Sequence, residues 1–576
     1  MTVQQVSVVG AIERAIQDWP ECGAIETADG SISYRELGEH VRDFAARLES
    51  LTAPGEFVGI AADRTAGSIV AMVGALTAGR PFVFIDPRDS EASNNSKVSS
   101  LGLRLLARGP SSSKARELAA VPAEWRDEQG DPRPRALAGL AAQQGGIGYA
   151  IYTSGSTGES KCVLVRADPL ARMVQDHVRR LALDTRSRTL QFARLTFDGC
   201  ITEILWTLTA GACLVVLGEE RLGPGPVLQD TLERFRITHL KTTPFALTAT
   251  EPTSAMSLRH VINGGGACRQ AVVRKWSSAA AFHNAYGTTE TTVCTFLSDA
   301  LDPGDCIESV PLGEVVGDCG YDIVPVPTAA GGDLTGARAT RGELVITGES
   351  VAVGYLTAQG VRLFVDDDGN RFYRTGDIVE RRDGEVFFVE RADRQLKVRG
   401  YRLDPGEIET AACRLGGVLE AVVTAESHEG SDDSATDALV CYYQGAATSR
   451  ELRSHLEAVL DAYKVPSVIK QVDALPYTPN GKVDRDALRA GRRSAPDTGH
   501  LAAAPEERVL ELVRQLTGVS DAGPDDNFFE LGGDSASTVI LVNKLKELGW
   551  MSAGVRDVLR AADLRALTSE LRDRRR

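Results

Sequence analysis

The sequence predicts a multidomain α/β protein made of a large N-terminal α/β core, a smaller α+β C-terminal subdomain and an all-α helical bundle. Three observations support this fold class. The chain has 576 residues, whereas one domain usually takes about 100–200 residues. Apolar runs alternate with amphipathic patterns over residues 1–391, and helical patterns alone follow a linker-like stretch near the C-terminus. The chain is therefore expected to fold as several units.

The N-terminal part, residues 1–391, shows a repeated order of strand, helix and strand. The segments FVGIAA, SIVAMVGALTAG and RPFVFIDP follow one another between residues 57 and 87. β-Branched and aromatic runs favour strands, while the longer segment between them has the length of a helix. This rhythm is typical of parallel strands covered by helices.

The sequence pattern changes near Asp377, shortly before the second part of the chain, residues 392–490. Short strand-like runs with polar turns replace the earlier alternation, and Asp383-Gly384 stands between two of these runs. An Asp-Gly pair between apolar runs predicts a tight hairpin. We expect a smaller α+β subdomain to follow.

The C-terminal part, residues 505–576, follows a predicted linker over residues 491–504, which lacks apolar periodicity. Pro505 suits a first helical position, and Gly518 suits a helix end. Apolar residues of this predicted helix share one face: Val509, Leu512, Val513 and Leu516. A second helix after GGDS carries Leu541, Leu545 and Leu548 on one face. These patterns predict a small helical bundle.

Composition excludes several classes of function. The net charge of −15 argues against nonspecific binding to nucleic acid, and the absence of an apolar run of about 18 residues argues against a membrane span. Ten cysteines without a C-x-x-C pair indicate neither a zinc site nor a disulfide framework. The first residues do not resemble a secretory signal, so we expect a cytoplasmic protein.

The segment YTSGSTGESK, residues 152–161, is a candidate phosphate-binding loop. Glycine permits close backbone approach, hydroxyl groups supply donors, and a lysine adds a positive charge. The loop lacks the G-x-x-x-x-G-K spacing of P-loop NTPases. The predicted phosphate ligands are Thr153, Ser154, Gly155, Ser156, Thr157, Gly158 and Lys161.

Further motifs follow this loop in a characteristic order. They are NAYGTTE (284–290), GELVITGESVAVGY (342–355), YRTGD (373–377), ERADRQLKVRGYRLDPGEIE (390–409) and PNGKVDR (479–485), with ISYREL (32–37) and GALTAGRPFVFIDP (74–87) upstream. Together they resemble the core motifs of nonribosomal peptide synthetase adenylation domains, within the ANL superfamily of adenylating enzymes. The resemblance covers nearly all of residues 30–490. The segment DNFFELGGDSASTVILVNKL (526–545) resembles a peptidyl carrier domain.

The resemblance implies ATP-dependent formation of an aminoacyl-adenylate and loading of the amino acid as a thioester on the carrier. The implied cofactors are ATP, Mg²⁺ and a 4'-phosphopantetheine arm on Ser535. Lys482, Lys161 and Thr289 match catalytic positions, Glu290 matches the Mg²⁺ ligand, and Asp393 matches the hinge on which the smaller subdomain turns. Beyond the phosphate loop, the implied nucleotide-binding residues are Gly264, Gly265, Gly266, Asn284, Tyr286, Gly287, Asp377 and Arg391. Tyr286 would stack on adenine, and Asp377 would bind the ribose hydroxyls.

The resemblance also predicts the amino acid pocket. Asp198 matches the carboxylate that pairs with the α-ammonium group. The side-chain pocket is predicted to be lined by Gly199, Thr202, Phe245, Ile262, Gly264, Ala285, Val293 and Cys294. Because this lining is mostly apolar and carries no charge, we expect a neutral aliphatic amino acid, with tyrosine or phenylalanine as the alternative.

Two other functions remain open at this point. One is an AMP-forming ligase for an acyl or aryl acid, against which Asp198 and the attached carrier both argue. The other is a noncatalytic carrier module with a decayed adenylation site, against which the intact Lys482, Glu290 and Asp377 argue. The chain contains no H-H-x-x-x-D-G stretch, so we expect a freestanding loading didomain. Its expected partners are a phosphopantetheinyl transferase and a downstream condensation domain or tailoring enzyme, with an MbtH-like activator as a further candidate.

Overall fold

The computed structural model describes most of the chain. The described residues are 7–108, 119–122, 146–153, 160–304, 309–325, 340–392, 396–398, 401–426, 438–473, 505–517, 522–529 and 553–573, with short pieces at 306, 475–476, 485, 488, 531, 533, 538, 541–542, 544–546 and 550. The chain divides into two compact units, and the boundary between them falls after Arg402. Each unit is described by itself below.

The first unit is built mainly on strands. In chain order they are β1 (Gly23–Thr27), β2 (Gly30–Ser33), β3 (Val58–Ala61), β4 (Phe82–Ile85), β5 (Leu105–Arg108), β6 (Ala119–Pro122), β7 (Ile147–Thr153), β8 (Lys161–Arg166), β9 (Arg188–Leu190), β10 (Cys213–Val215), β11 (His239–Thr242), β12 (His260–Asn263), β13 (Ala281–Tyr286), β14 (Phe296–Leu297), β15 (Glu314–Val315), β16 (Cys319–Val324), β17 (Arg341–Gly348), β18 (Gly354–Thr357), β19 (Gly360–Leu363), β20 (Phe372–Arg382) and β21 (Glu385–Arg391).

Helices separate many of these strands, as the sequence predicts. They are α1 (Val8–Asp18), α2 (Tyr34–Leu51), α3 (Ala66–Thr77), α4 (Glu91–Leu101), α5 (Asp168–Arg180), α6 (Gly199–Thr209), α7 (Pro226–Arg234), α8 (Pro244–Ala249) and α9 (Gln270–Ser277), with 3₁₀ turns at Glu219–Arg221 and Thr289–Thr291. The predicted strand, helix and strand between residues 57 and 87 are β3, α3 and β4. That prediction is confirmed.

Two large sheets form the first unit. One has nine strands in the order β15-β14-β13-β12-β11-β9-β10-β1-β2, and the other has eight in the order β19-β18-β8-β7-β4-β3-β5-β6. Neighbouring strands from β13 to β1 pair in parallel, while β14 and β2 pair antiparallel at the edges. The second sheet likewise has a parallel centre formed by β7, β4, β3 and β5. The expected parallel α/β core is therefore confirmed.

One apolar core connects these two sheets. It includes Ile25 and Leu214 of the nine-stranded sheet, Phe82 and Phe84 of the eight-stranded sheet, and Trp206 of α6. Helix α3 is buried on all sides over most of its length, which is the pattern of a helix enclosed by a core rather than one that covers a surface. The helix therefore fixes the sheets on which the site residues are placed.

A third sheet in this unit has four strands in the order β16-β17-β20-β21. Its hairpin between β20 and β21 turns through Asp383 and Gly384, whose φ angles are 50° and 90°. Two successive positive φ angles are those of a type I' turn, for which Asp-Gly is a preferred pair. The sequence prediction of a hairpin here is correct.

The second unit begins at Leu403, the last residue of the second of two short strands, and an α+β part forms its first portion. Strands β22 (Leu396–Val398) and β23 (Tyr401–Leu403) form a two-stranded ladder at the boundary, and α10 (Pro405–Cys413), β24 (Val418–Glu426), β25 (Ala438–Gly445), α11 (Ser449–Val459), a 3₁₀ turn at Ala462–Lys464 and β26 (Val468–Gln471) follow. Strand β25 pairs antiparallel with β24 and parallel with β26. These elements form the predicted smaller α+β subdomain.

Helices make up the described C-terminal part. They are α12 (Pro505–Thr517), α13 (Val555–Arg560) and α14 (Leu564–Asp573). Val509 and Val513 are fully buried on α12, and Leu541 and Leu545 are buried in the same apolar cluster. The predicted helical bundle is confirmed in these residues. Across the described helices, none is long and apolar enough to cross a membrane.

Candidate active site

The predicted site residues gather where three parallel strands end. Strands β11, β12 and β13 are in register, with Thr242 opposite Asn263 and Asn263 opposite Asn284. Because the strands run in parallel, the segments that follow them emerge at the same edge of the sheet, which is the usual ligand edge of such sheets. The glycine strip 264–266 follows β12, and the segment 287–290 follows β13.

Asp198 lies at the start of α6 and carries one carboxylate oxygen for which the described part of the chain offers no hydrogen-bond partner. Its Oδ2 atom is buried and accepts no hydrogen bond from any residue that the structure describes. Burial raises the pKa of Asp198 above its usual value, although hydrogen bonding by Thr289 and the charge of Lys241 oppose the shift. A buried oxygen of this kind is costly unless a ligand satisfies it.

Thr289 lies between Asp198, the predicted ammonium anchor, and Glu290, the predicted Mg²⁺ ligand. It is half-buried in the 3₁₀ turn Thr289–Thr291 and hydrogen-bonds to Asp198. Its neighbour Glu290 is buried. The structure thus brings the predicted ammonium anchor, Asp198, next to the predicted phosphate-contacting segment.

The predicted side-chain pocket is only partly apolar. Ile262, Ala285, Val293 and Cys294 belong to the main apolar core. Thr202 is also buried, but its hydroxyl oxygen accepts a hydrogen bond of 2.6 Å from the ammonium group of Lys241. A charged side chain that was not among the predicted lining residues therefore contacts one of them, and the lining itself stays a prediction.

Lys241 reaches the pocket from the third position of β11. Its side chain passes Gly264, at which a Cβ atom would lie 3.3 Å from Lys241 Cε. A Cβ atom at Gly199 would lie 4.0 Å from Lys241 Nζ. Sequence analysis did not select this lysine, because a single lysine in a short apolar strand resembles an edge or surface position. Phe245, which the sequence placed in the pocket wall, lies half-buried in α8, and its role stays a prediction.

The pocket backbone is also unusual. Thr292 and Val293 have φ angles of 59° and 68°. A β-branched residue in the left-handed region is an outlier that the surrounding structure must stabilise. This conformation follows the turn that carries Glu290 and precedes Cys294.

Three predicted nucleotide-binding residues form a buried cluster. The hydroxyl group of Tyr286 donates to Asp377 Oδ2 over 2.5 Å. Arg391 Nη1 donates to Asp377 Oδ1 over 2.8 Å, and also to the carbonyl oxygen of Thr375. Asp377 is fully buried. The predicted adenine-side and ribose-side residues are thus brought together, with both carboxylate oxygens of Asp377 bonded to protein.

The remaining predicted nucleotide residues of this region have backbone or packing roles. Asn284 is buried and uses its side chain to bond Asn263 and the carbonyl oxygen of Pro311. Gly287 has no room for a side chain, since a Cβ atom there would lie 2.3 Å from the carbonyl oxygen of Val293. Gly265 has a positive φ of 75°, which glycine adopts without strain. Their contacts with nucleotide stay predictions.

Glu290, the predicted Mg²⁺ ligand, is fully buried and has two protein partners. Tyr355 donates its hydroxyl hydrogen to Oε1 over 2.6 Å, and Arg402 donates to Oε2 over 3.1 Å. Burial opposes ionisation, but Arg402 and Tyr355 outweigh it, so the pKa of Glu290 lies below its usual value. The sequence did not reveal that Arg402 is a partner of Glu290.

An ionised carboxylate in this position fits Mg²⁺, which proteins commonly hold by one or two carboxylates together with substrate phosphates. Within the described residues, no group of three or more His, Cys, Asp or Glu side chains could hold a metal ion. The role of Glu290 as a Mg²⁺ ligand stays a prediction. Because Arg402 occupies Oε2, the arginine and a metal ion would compete for that oxygen.

The base of the predicted phosphate loop lies near Glu290. Thr153 and Lys161 face each other across the antiparallel pair β7 and β8. The Lys161 ammonium group lies 5.4 Å from the ring centroid of Tyr355, the same tyrosine that bonds Glu290. The other predicted loop ligands, Ser154, Gly155, Ser156, Thr157 and Gly158, lie outside the described residues, as do Lys482, Asp393 and Ser535.

Comparison with protein-family models decides the family. The model for AMP-binding enzymes matches residues 12–356, which is more than half of the chain. The chain belongs to the AMP-binding enzyme family. Residues 407–482 match the C-terminal domain of AMP-binding enzymes, and residues 507–571 match a phosphopantetheine attachment site. The protein is therefore an AMP-forming ligase with an attached carrier domain, and ATP and phosphopantetheine are its cofactors, with Mg²⁺ as the usual ion of the family.

Relatives of this AMP-binding enzyme are peptide synthetases and antibiotic biosynthesis proteins. Bacitracin synthase 3 of Bacillus licheniformis is 33% identical over 92% of this chain and 8% of its own length. Tyrocidine synthase 2 of Brevibacillus parabrevis is 31% identical over 96% of this chain and 15% of its own length. The chain thus spans a small fraction of either synthase. Novobiocin biosynthesis protein H of Streptomyces niveus is 31% identical over 93% of this chain and 91% of its own length.

A solved structure has the same architecture. It is a holo nonribosomal peptide synthetase protein containing adenylation and carrier domains, bound to a vinylsulfonamide inhibitor. The TM-score is 0.77 with 25% identity, over 99% of this chain and 97% of that one. The sequence-based recognition of an adenylation domain joined to a carrier domain is confirmed.

Proposed function

We propose that this enzyme activates a free α-amino acid as its AMP ester and then transfers the aminoacyl group to a phosphopantetheine thiol on Ser535. The observation that carries the proposal is the buried Oδ2 atom of Asp198, which accepts no hydrogen bond from the residues that the structure describes. An α-ammonium group supplies the charge and the hydrogen-bond donors that this oxygen lacks. The matched AMP-binding and phosphopantetheine attachment models support the two half-reactions.

In the first half-reaction, a carboxylate oxygen of the amino acid attacks the α-phosphorus of ATP. A new O–P bond forms, the bond to the β-phosphate breaks, and pyrophosphate leaves. Two anions must approach each other, so the protein has to supply positive charge and oriented donors before they meet. We propose that Thr289, which interacts with Asp198, orients the acid, and that Lys161 supplies a cation at the base of the phosphate loop.

A second lysine, Lys482, is proposed to add to the positive charge around the phosphates. Lys482 lies in the stretch matched by the C-terminal domain model, outside the described residues. A compact ammonium group on a flexible stem suits a contact that is made in one half-reaction and withdrawn in the next. We propose Asp393 as the hinge of that movement. Mg²⁺ bound at Glu290 would neutralise charge on the phosphate oxygens.

In the second half-reaction, the pantetheine sulfur attacks the acyl carbon of the adenylate. A C–S bond forms, the C–O bond to AMP breaks, and the thiol proton is released. The cluster of Tyr286, Asp377 and Arg391 is proposed to hold the adenosine part of the leaving group. AMP then leaves, and the amino acid remains on Ser535.

The alternative function is an AMP-forming ligase for an acyl or aryl acid. Such an acid has no α-ammonium group, so it would leave Asp198 Oδ2 buried and without a partner. The neutral aliphatic amino acid expected from the sequence satisfies Asp198, but its side chain would meet the ammonium group of Lys241. The pocket therefore supports an α-amino acid, and it does not favour an aliphatic side chain.

Partners follow from the carrier domain. A phosphopantetheinyl transferase must modify Ser535 before loading, and a condensation domain or tailoring enzyme is proposed to receive the thioester. An MbtH-like activator is a further proposed partner. A dependence on ATP supports a cytoplasmic location.

The proposal is tested by intact-mass analysis of the full chain after incubation with coenzyme A, a phosphopantetheinyl transferase, ATP and mixed amino acids. We expect a mass increase for the arm and a second increase for one amino acid. Ser535→Ala should keep amino-acid-dependent pyrophosphate exchange but lose both mass increases, whereas the matched variant Ser537→Ala should keep both. Covalent loading of Ser535→Ala, or exchange that ignores the amino acid, would contradict the proposal.

A further inference from the structure

Lys241 is a buried cation that the reaction itself does not use. Only 9% of its surface is exposed. Its Nζ atom donates one hydrogen bond, to Thr202, and lies 5.9 Å from the ring centroid of Trp206. An ammonium group carries three N–H donors, so one contact with a hydroxyl group leaves most of its bonding capacity unused.

Within the described residues, Lys241 Nζ hydrogen-bonds to Thr202 and forms no ion pair with a carboxylate. Two acidic residues are nearby in electrostatic terms, Asp198 and Glu203. The carboxylate of Glu203 is already bonded to the side chain of Gln191 and to the backbone N–H groups of Phe192 and Ala193. Asp198 is the proposed partner of the α-ammonium group. Neither acid is therefore left to pair directly with Lys241.

Two glycines keep the space around this lysine open. The side chain of Lys241 passes Gly264, and its Nζ atom lies near the open face of Gly199. Gly199 directly follows Asp198, so the free ammonium group and the ammonium-binding carboxylate lie close together along the pocket. A substrate that contacts both must carry its two charged groups close together.

We propose that the substrate is an α-amino acid whose short side chain ends in a carboxylate, as in aspartate, and that Lys241 is the residue that selects it. This inference rests on the proposed function and names its substrate class. Asp198 binds the α-ammonium group and Lys241 binds the side-chain carboxylate, while Thr202, which donates to the carbonyl oxygen of Gly199 and accepts from Lys241, holds the lysine in position. A substrate of this kind brings a countercharge to each buried ion, which an aliphatic side chain does not do.

Charge balance separates the candidate side chains. With an aliphatic side chain, the remaining N–H donors of Lys241 would stay buried without an acceptor, because Asp198 and Glu203 act on its charge only through space, and unsatisfied buried donors are unfavourable. A carboxamide would accept a hydrogen bond but leave the charge unbalanced. Because Lys241 Nζ lies near Gly199, the direct neighbour of Asp198, the shorter of the two acidic side chains is favoured.

The test is amino-acid-dependent pyrophosphate exchange by the full chain, with aspartate, glutamate, asparagine, leucine and phenylalanine. We expect aspartate to give the highest kcat/KM, by at least about tenfold over the others. In Lys241→Met, exchange with aspartate should fall by about 10²–10³-fold, mainly through KM, because one partner of a buried charge pair is removed. Exchange with leucine should stay constant or rise.

Two controls keep the outcomes distinct. Lys275→Met removes an ammonium group that pairs with Glu251 outside the site, and it should keep the wild-type order of substrates. The ratio of leucine to aspartate exchange does not depend on how much of a variant is folded, so this ratio is the deciding measurement for Lys241→Met.

Each result bears on the inference. Highest exchange with aspartate in the wild type, together with a reversed preference in Lys241→Met, supports it. Highest exchange with glutamate, asparagine, leucine or phenylalanine overturns the inference but leaves the proposed function standing. Exchange with none of the five but with another common amino acid likewise overturns only the inference, and exchange with none of the twenty common amino acids overturns both.

Discussion

The buried cluster of Tyr286, Asp377 and Arg391 differs from the amino acid pocket in whether its buried charges have protein partners. In the cluster, Asp377 has both carboxylate oxygens bonded, one by Tyr286 and one by Arg391. In the pocket, Asp198 has a buried oxygen without a described partner, and Lys241 has one hydroxyl contact. The cluster can be stable by itself, whereas the pocket is electrostatically incomplete. The difference shows where the protein depends on a ligand for its hydrogen bonds.

The largest effect is expected from removing the unpartnered carboxylate. Asp198→Ala should lower kcat/KM for amino-acid-dependent pyrophosphate exchange by about 10²–10³-fold, because the substrate ammonium group would be buried without its partner. ATP binding, measured by calorimetry, should change little. Asp366→Ala, in an exposed turn, is the matched control and should behave as wild type. A similar loss in both variants would contradict the role of Asp198.

The free energy of unfolding should depend more on the cluster around Asp377 than on Asp198. Asp377→Asn leaves Arg391 without a counterion in the buried cluster, and it should lower the free energy of unfolding by about 3–5 kcal/mol. The measurement is urea denaturation of the full chain, followed by tryptophan fluorescence. No measurable destabilisation would mean that the pairing of Asp377 with Arg391 does not stabilise the folded protein.

The pH dependence of the free energy of unfolding in Asp198→Asn tests the same comparison. Burial raises the folded-state pKa of Asp198 above its usual value of 3.8, so the wild-type carboxylate lowers stability as pH rises through that folded-state pKa. Asp198→Asn removes this loss and should be more stable than wild type above that pH, with no difference at lower pH. Unfolding curves across a pH series would reveal the trend, and a variant that is less stable at neutral pH would contradict it.

The smallest effect is expected at Glu290, where pairing is present but a ligand is also predicted. Arg402→Met removes the cation that competes for Oε2, so half-maximal exchange should need about three- to tenfold less Mg²⁺, which is within the strength of a charged hydrogen bond. The measurement is a Mg²⁺ titration of pyrophosphate exchange at saturating ATP. Arg374→Met, which breaks a surface pair with Glu343, should leave the titration unchanged.

Much of the fold could be predicted because local signals determine it. The Asp383-Gly384 turn, the β3–α3–β4 unit and the apolar face of α12 each depend on residues that are neighbours in sequence. The order of the motifs identified the adenylation and carrier domains. These features need no knowledge of contacts between distant parts of the chain.

The charges in the site could not be predicted in the same way. Lys241 contacts Thr202 across 39 positions of sequence, and Arg402 contacts Glu290 across 112. Nothing in the pattern HLKT shows which way the lysine side chain points. Assigning the pocket by counting along the sequence selected Phe245, four residues later, and so missed the cation. Pairings of this kind depend on the register of β11 against β12 and on the packing of α6.

The left-handed backbone at Val293 also has a consequence for redesign. Its φ angle of 68° is one that glycine or asparagine adopts with less strain than valine does. The valine side chain therefore adds strain to the backbone at this position. Changing this residue to enlarge the cavity would relax the loop as well as reshape it. If Val293 lines the amino acid pocket as predicted, its replacement would change backbone strain and pocket shape together.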